Sequence, residues 1–183
     1  LVRMGNDIGM LICEAVLVAK ESVQDDDIVV VAQKIVSKAE GAVVDLGHIT
    51  PSEHAKDLSR KTGRDARLCQ VYIDESSEII SVKGRMVITR HRLGFECSSA
   101  GVDRSNVAPN DDCIVVLLPK DPDDSARKIR QRIKAATGKR VAVVINDSMG
   151  RATRDGSIGM AIGIAGIGHL EYRSQTYLWG NPS

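Results

Sequence analysis

The stretch "INDSMGR" (145–151) places a carboxylate and a hydroxyl side by side, directly after an apolar run. Ligand sites in α/β folds favour the carboxyl ends of strands. Carboxylate and hydroxyl oxygens are also the hard ligands that Mg²⁺ and Mn²⁺ prefer. Asp147 and Ser148 are therefore candidate metal ligands. The residues alone leave open an alternative, in which the strand ends at a turn and Asp147 caps the next segment.

A second stretch, "SSAGVDRSNV" (98–107), surrounds one acid and one amide with small residues. Small side chains allow a ligand to approach the main chain. Asp103 can supply a second metal carboxylate, and Asn106 can donate and accept hydrogen bonds at once, which suits a ribose, a phosphate or a base edge. The alternative interpretation is an Asx-type turn with a helical cap.

Two further stretches are candidates for phosphate binding. "QKIVSKAEG" (33–41) is interpreted as a polar connection in which Lys34 and Lys38 either neutralise phosphate charge or lie solvated on the surface. "GIAGIG" (163–168) has glycines dense enough to cradle a phosphate, but it lacks the G-x-G-x-x-G order. Close packing of a Gly-rich strand against another backbone is the favoured interpretation of the second stretch.

Hydrophobic periodicity predicts a mixture of helices and strands, with no internal repeat. Helical spacing or helix start and stop signals mark residues 6–23, 50–63, 66–75 and 121–138. The last of these helices is expected to start at Asp123 or Asp124 and to end at Gly138. Apolar runs predict strands at 28–32, 41–46, 113–119 and 141–147, the first of them buried on both faces, and alternation around Gly84 predicts a hairpin over 78–92. The fold class is therefore α/β or mixed α+β, with mixed sheets and flanking helices.

Composition narrows the class of protein further. The 183 residues carry a formal net charge of +1, which argues against a general nucleic-acid or membrane-surface binder. The longest apolar stretch, near 158–170, is too short and Gly-rich for a membrane span. The four cysteines form no C-x-x-C pair, which favours buried free thiols in a cytoplasmic protein. A single domain over 1–183 is expected, or two interleaved subdomains, and the absence of an initial Met suggests a fragment of a longer chain.

Five pieces of the sequence occur in an order that resembles the coenzyme F-420 γ-glutamyl ligase family. The resemblance covers the chain from about Asp7 to Gly180. The pieces are "VVVAQKIVSKAEGAVVDL", "AGVDRSNV", "LLPKDPDDSARKIRQRI", "INDSMGR" and "AIGIAGI…YLWG".

The resemblance implies a GTP-dependent ligase that joins L-glutamate to the lactyl carboxylate of the deazaflavin precursor through an acyl phosphate. It implies Mg²⁺ or Mn²⁺, in a two-metal site, and a monovalent cation such as K⁺. It also implies an intertwined homodimer. Its implied metal ligands are Asp103, Asp147 and Ser148, the serine standing where the family usually has a threonine. Its implied nucleotide contacts are Gln33, Lys38 and Asn106.

Two departures from the family pattern bear on the acceptor substrate. "GRATR" (150–154) stands where "GRPFR" or "GRPWR" is usual, and "RLGFECSSAGVD" (92–103) differs from the expected "RHGFVCANAGVD". Two other functions therefore remain open at this point. One is a related amino-acid ligase with another carboxylate acceptor, and the other is a non-catalytic homologue that binds GTP and metal.

Overall fold

The computed structural model describes residues 2–104, 113–151 and 154–168. Five α-helices lie within these residues: α1 (Ile8–Val18), α2 (Gln33–Glu40), α3 (Glu53–Thr62), α4 (Ala66–Asp74) and α5 (Pro122–Thr137). The same residues contain eight strands: β1 (Ile28–Ala32), β2 (Val43–Asp45), β3 (Ser76–Lys83), β4 (Met86–His91), β5 (Glu96–Ser98), β6 (Ile114–Val116), β7 (Ala142–Arg151) and β8 (Arg154–Ala165). The predicted mixed α/β class is confirmed.

The sheet that matters for the site is formed by β1, β7 and β8. β1 runs parallel to β7, with Ile28 opposite Ala142 and Ala32 opposite Asn146. β8 runs antiparallel to β7 on its other side. Because β1 ends at Ala32 while β7 continues to Arg151, the second half of β7 extends beyond its parallel neighbour.

Two smaller antiparallel sheets complete the described strands, β2 with β6 and β3–β4–β5 in chain order. One hydrophobic cluster joins α1 and α5 to the β1–β7–β8 sheet, and Ile133, Val143 and Ile145 are fully buried within it. A second cluster joins α3 and α4 to β4 and β6, around Tyr72 and Val115.

Most element boundaries follow the local signals in the sequence. The side chain of Asp7 accepts a hydrogen bond from the N–H of Met10 and caps α1. Ser52 caps α3 in the same way, and α3 ends at Gly63 with φ 65°. The hairpin over β3 and β4 turns at Gly84, which has φ 56°.

Helix α5 begins earlier than the sequence indicated. The expected start was Asp123 or Asp124, whereas Asp121 is the N-cap and Pro122 the first helical residue. A proline at this position costs nothing, because its missing N–H would have no partner within the helix.

Three predictions about local structure are wrong. "QKIVSKAEG" is not a connection but helix α2, because Gln33, Val36 and Ser37 recur at helical spacing and bury one face. β1 is not buried on both faces among the described residues, since Ile28 and Val30 are 58% and 64% exposed. β7 does not end at Asp147, and neither does a turn begin there, because its pairing with β8 continues through Arg151.

The Gly-rich stretch was interpreted correctly. Gly163 lies in β8, and a Cβ atom placed on it would lie 2.4 Å from the carbonyl carbon of Pro122. The glycine therefore allows β8 to pack directly on the first turn of α5. Among the described helices, none is both long enough and apolar enough to cross a bilayer. The predicted domain organisation stays a prediction.

Candidate functional site

A cavity of about 520 Å³ lies where β1 ends and β7 continues. Three segments form its walls: the junction of β1 and α2, the stretch from β5 to Asp103, and the middle of β7. Its lining residues are Ala32, Gln33, Lys34, Cys97, Ser98, Ser99, Gly101, Val102, Asp103, Asn146, Asp147, Ser148 and Met149. A larger cavity of about 800 Å³, between α1, α2 and α5, contains neither predicted metal carboxylate.

The surroundings of Asp147 in this cavity raise the pKa of its carboxyl group. Burial raises its pKa above the ordinary value, and the negative charge of Asp103 raises it further. The backbone N–H of Ser148, 2.8 Å from Oδ1 of Asp147, works in the opposite direction, as do the Gln33 amide and the charge of Lys34. These hydrogen bonds and the Lys34 charge offset only part of the effect of burial, so the pKa of Asp147 remains raised.

Asp103 reaches the same cavity from a separate part of the chain. Its backbone exchanges two hydrogen bonds with Val116, at 2.9 and 2.8 Å, which tie it to the end of β6. Its Oδ2 lies 2.7 Å from Nζ of Lys34, and the two side chains are 25% and 26% exposed. Asp103 is thus fixed through its main chain while its carboxylate forms an ion pair across the cavity.

The small residues before Asp103 form a strained turn. Ser99, Ala100 and Gly101 have φ values of 53°, 52° and 64°, in the left-handed region that L-residues rarely adopt. Ala100 is fully buried, and its N–H donates to Oγ1 of Thr89 at 3.2 Å. At the two non-glycine residues, Ser99 and Ala100, this conformation costs about 1–3 kcal/mol each, so neighbouring contacts must enforce it.

Tight packing explains why this turn contains small residues. A Cβ atom on Gly101 would lie 2.8 Å from the side chain of Leu118, so the glycine is required by packing as well as by its φ. Cys97, beneath the turn, is buried, and burial raises the pKa of its thiol. Ser98, Ser99 and Gly101 line the cavity, whereas Ala100 is fully buried and is not among the lining residues.

Helix α2 points its N-terminus at the cavity. Its N-cap is Ala32, which has no side-chain group that could bond the first-turn N–H groups. Such N–H groups carry partial positive charge and make a helix N-terminus favourable for phosphate. Gln33, at the start of the helix, is 4% exposed, and its Oε1 accepts a hydrogen bond from the hydroxyl of Ser37 at 3.0 Å. The buried amide is thereby held beside Asp147.

The predicted site residues are brought together only in part. Asp103, Asp147, Ser148 and Gln33 line one cavity, although they come from three separate segments. Lys38 lies one turn further along α2 and does not line it. Asn106 lies outside the described residues.

Two residues that form or support the cavity, Lys34 and Thr89, were not predicted as site residues. Lys34 was recognised as a possible phosphate-neutralising lysine, but it was not placed with the metal and nucleotide residues, and it is the lysine that lines the cavity. Thr89 carried no signal, because a threonine in an alternating strand is ordinary. Its relevance depends on the contact with Ala100, which only the folded chain reveals.

The donor set fits a divalent cation that is held jointly with phosphate. Two carboxylates share the cavity with one ammonium group, so a further positive charge between them would be favourable. Within the described ranges, no group of three or more His, Cys, Asp or Glu side chains is placed to hold a metal ion. Mg²⁺ is commonly bound through one or two carboxylates together with substrate phosphates, which matches this set.

The sequence is similar to those of a known protein family. A profile of the family described as F420-0:Gamma-glutamyl ligase matches residues 1–183. The chain is 46% identical over 151 residues to the Coenzyme F420:L-glutamate ligase of Methanocaldococcus jannaschii, covering 82% of this chain and 59% of the relative. It is 45% identical over 167 residues to the enzyme of the same name from Methanothermobacter thermautotrophicus, covering 91% and 65%.

A third relative of that name, from Methanopyrus kandleri, is 41% identical over 166 residues, with 91% of this chain and 63% of the relative covered. The chain thus spans roughly three fifths of the length of these curated relatives. The match over residues 1–183 nevertheless includes every segment that lines the cavity. The chain belongs to the F420-0:gamma-glutamyl ligase family.

Proposed function

We propose that this protein catalyses GTP- and divalent-metal-dependent formation of an amide between L-glutamate and the lactyl carboxylate of the deazaflavin F420 precursor. Membership of the family and the names of the relatives support the substrates. The observation that carries the proposal is the shared cavity of Asp103 and Asp147, which also contains Lys34 and the N-terminus of α2. This arrangement suits a metal–triphosphate group better than an uncharged ligand.

The nucleotide phosphates lie at the start of α2 in this proposal. The first-turn N–H groups of α2 donate hydrogen bonds to phosphate oxygens, and Lys34 supplies a full positive charge beside them. Gln33 orients its amide at the edge of the same pocket. Lys38 and Asn106 are proposed to contact the nucleotide further from the cavity described here.

The metal ligands are proposed to be Asp103, Asp147 and Ser148, with Mg²⁺ or Mn²⁺ as the ion and K⁺ as an additional monovalent cation. A bound divalent ion would offset phosphate charge and polarise the transferred phosphoryl group. Successive side chains of a strand point to opposite faces, so Asp147 and Ser148 can share one ion only at the edge of β7 that β1 leaves unpaired. Ser148 is exposed at that edge.

The reaction proceeds in two steps, a phosphoryl transfer and then amide formation. A carboxylate oxygen of the precursor attacks the γ-phosphorus of GTP, the bond to the β-phosphate oxygen breaks, and GDP leaves. The amine of L-glutamate then attacks the carbonyl carbon of the acyl phosphate, loses a proton and expels inorganic phosphate. Lys34 and the N-terminus of α2 hold the phosphates during the first step. Asp103 and Asp147 would hold a divalent ion, which would supply positive charge to the phosphates.

The proposed assembly is a homodimer in the cytoplasm. An apolar groove runs between α1 and β1, and Leu17, Val18, Ile28 and Val30 are each more than half exposed along these elements. A second copy is proposed to cover them, which would bury the face of β1 that the single chain leaves open. Cys13, Cys69 and Cys97 are buried thiols that form no disulfide, as expected in a reducing compartment. Sedimentation equilibrium of Val30→Asp against the unaltered protein tests the dimer.

The decisive test measures glutamate transfer with GTP, Mn²⁺ and the deazaflavin precursor, with product mass as the readout. Asp103→Asn and Asp147→Asn are each expected to lower turnover by at least about a hundredfold, the scale of losing one transition-state charge contact. Asp57→Asn is the matched control, because Asp57 is an exposed acid on α3 that pairs with Arg60. Unchanged turnover in the Asp147 variant would refute the proposal.

Two other results would replace the proposal. GDP release with a different carboxylate acceptor, and none with the deazaflavin precursor, would indicate a related amino-acid ligase. Tight binding of GDP and Mn²⁺ without phosphate release in any combination of substrates would indicate a non-catalytic homologue.

A further inference from the structure

We propose that Lys34 is a resident counter-ion at the metal position, which leaves Asp103 only when metal and nucleotide arrive together. The inference rests on the proposed function, and it adds an order of binding. Metal alone binds weakly because it must compete with an ammonium group already on Asp103. Metal with nucleotide binds tightly because the displaced ammonium group gains a phosphate partner.

The contact that supports this exchange is short and accessible. Nζ of Lys34 lies 2.7 Å from Oδ2 of Asp103, which is the distance of a direct charge-assisted hydrogen bond. About a quarter of each side chain is exposed, so water can replace either partner as the pair separates. Two backbone hydrogen bonds tie the main chain of Asp103 to Val116, and its side chain is short, whereas Lys34 has a long flexible side chain. The lysine is therefore the partner that moves.

The position of Lys34 in its helix also favours exchange. A lysine in the first turn of a helix is electrostatically unfavourable, because the N-terminus of the helix is itself positive. In the structure, Asp103 compensates this charge, and the same lysine also acts on Asp147. A phosphate group at the N-terminus of α2 would compensate it equally well. The ammonium group can then exchange one anion for another without being left unpaired.

Charge balance gives the order of events. Among the described residues that line the cavity, two carboxylates lie with one ammonium group before binding. A divalent ion added alone would still be attracted by the two carboxylates, but it would lie beside the Lys34 ammonium group, and that repulsion weakens its binding. When the divalent ion arrives with the nucleotide, the phosphates add negative charge, and this relieves the repulsion between the ion and the Lys34 ammonium group. Metal affinity is thereby linked to nucleotide affinity, and by reciprocity each ligand strengthens the other.

The experiment measures Mn²⁺ binding by the loss of the free-ion electron paramagnetic resonance signal, with and without GDP. Lys34→Met keeps the length of the aliphatic stem and removes the charge. It is expected to bind Mn²⁺ alone about three- to tenfold more tightly than the unaltered protein, as expected for loss of a partly exposed ion pair. In the presence of GDP the same variant is expected to bind Mn²⁺ less tightly than the unaltered protein.

Two further variants serve as controls. Lys128→Met is the matched control, because Nζ of Lys128 also lies 2.7 Å from an aspartate oxygen, in Asp124 on α5. It is expected to leave both Mn²⁺ affinities unchanged. Lys34→Arg keeps the charge and is expected to bind Mn²⁺ alone as weakly as the unaltered protein. Circular dichroism establishes that each variant is folded, and Lys34→Arg provides the comparison if Lys34→Met is not.

The outcomes separate the inference from the proposed function. If Lys34→Met binds Mn²⁺ alone no more tightly than the unaltered protein, the counter-ion role is overturned. If Lys34→Arg gains affinity for Mn²⁺ alone, it is overturned as well, because charge would not be the cause. If the unaltered protein binds no Mn²⁺ even with GDP, it is the proposed function that fails.

Discussion

The hydroxyl of Thr89 accepts the backbone N–H of Ala100, a residue held at φ 52° in the turn that leads to Asp103. Both residues are fully buried, so water cannot take the place of this acceptor. Thr89 lies on β4, and β4 pairs with β5, the strand that precedes the turn. Pairing of β4 with β5 therefore places Thr89 next to the turn, and its hydrogen bond to Ala100 stabilises an otherwise unfavourable backbone conformation.

Replacement of Thr89 with valine is expected to destabilise the protein and weaken the site together. Valine keeps the shape of threonine but leaves the N–H of Ala100 buried without an acceptor, at a cost of about 1–3 kcal/mol. Chemical denaturation measures the free energy of unfolding. Binding of Mn²⁺ with GDP is expected to weaken as well, since the turn positions Asp103.

Thr89→Ser is the matched control for this prediction. It removes a methyl group and keeps the hydroxyl, so the turn should remain and the affinity for Mn²⁺ with GDP should be close to that of the unaltered protein. Equal affinities for the valine and serine variants would show that the hydrogen bond does not position Asp103.

The sequence identified the two acids that line the cavity, but it misassigned some of the elements that carry them. Asp103 and Asp147 were identified by residue type and setting, and they do share a cavity. Lys34 was not assigned to the same site as these acids, because "QKIVSKAEG" is polar and was predicted to be a loop connection. Its helical periodicity depends on burying Gln33 and Ser37, two polar residues that a hydrophobic pattern does not count.

Long-range pairing accounts for the remaining differences. β7 extends through Asp147 because β8 pairs with it from Val143 to Arg151, and no local signal in "INDSMGR" reveals that partner. Likewise, an apolar run such as "IVVVA" predicts a strand but does not say how many of its faces are covered. Predictions of element type depended on local spacing and were mostly confirmed, whereas predictions of length and burial depended on distant residues.

Glu75 is expected to stabilise the fold in a pH-dependent manner. The imidazole of His91, 3.6 Å away, and the guanidinium of Arg92, 2.9 Å away, hold the pKa of Glu75 below its ordinary value of 4.5. A lowered pKa means that the stabilisation is complete above pH 4.5 and is lost as the pH falls through the folded-state value. Glu75→Gln is therefore expected to cost about 2 kcal/mol at pH 7.

The difference between Glu75→Gln and the unaltered protein should shrink as unfolding is measured at progressively lower pH below 4.5. Glu78→Gln is the comparison, because Glu78 is an exposed acid that pairs with Arg90 and is expected to matter little. A constant difference across the pH range would mean that the Glu75 charge is not responsible.

Asp147 is expected to reduce stability in the absence of metal. Burial and the neighbouring Asp103 raise the pKa of Asp147, so the charged form is unfavourable in the folded protein. Asp147→Asn should therefore increase the free energy of unfolding of the metal-free protein at pH 7, by about 1 kcal/mol. This gain should disappear as the pH falls through the raised folded-state pKa towards the ordinary value of 3.8, because the unaltered carboxyl then becomes neutral as well.

Excess Mn²⁺ with GDP should reverse that order of stability, since only the unaltered protein keeps both carboxylates for the ion. Thermal unfolding with and without Mn²⁺ and GDP provides the measurement. A metal-free Asp147→Asn protein that is less stable than the unaltered one at pH 7 would contradict the prediction, and would indicate that the carboxylate is needed for folding itself.

Gly163 is expected to be the glycine of β8 at which a methyl group is least tolerated. Its Cβ would lie 2.4 Å and 2.5 Å from the backbone carbon and oxygen of Pro122, so the start of α5 would have to move. Overpacking of this kind costs about 1–3 kcal/mol. Gly159→Ala, on the same strand, meets only the side-chain amide of Asn146, which can rotate away. Chemical denaturation should therefore show a larger loss for Gly163→Ala than for Gly159→Ala, and the reverse order would mean that β8 does not pack directly on the first turn of α5.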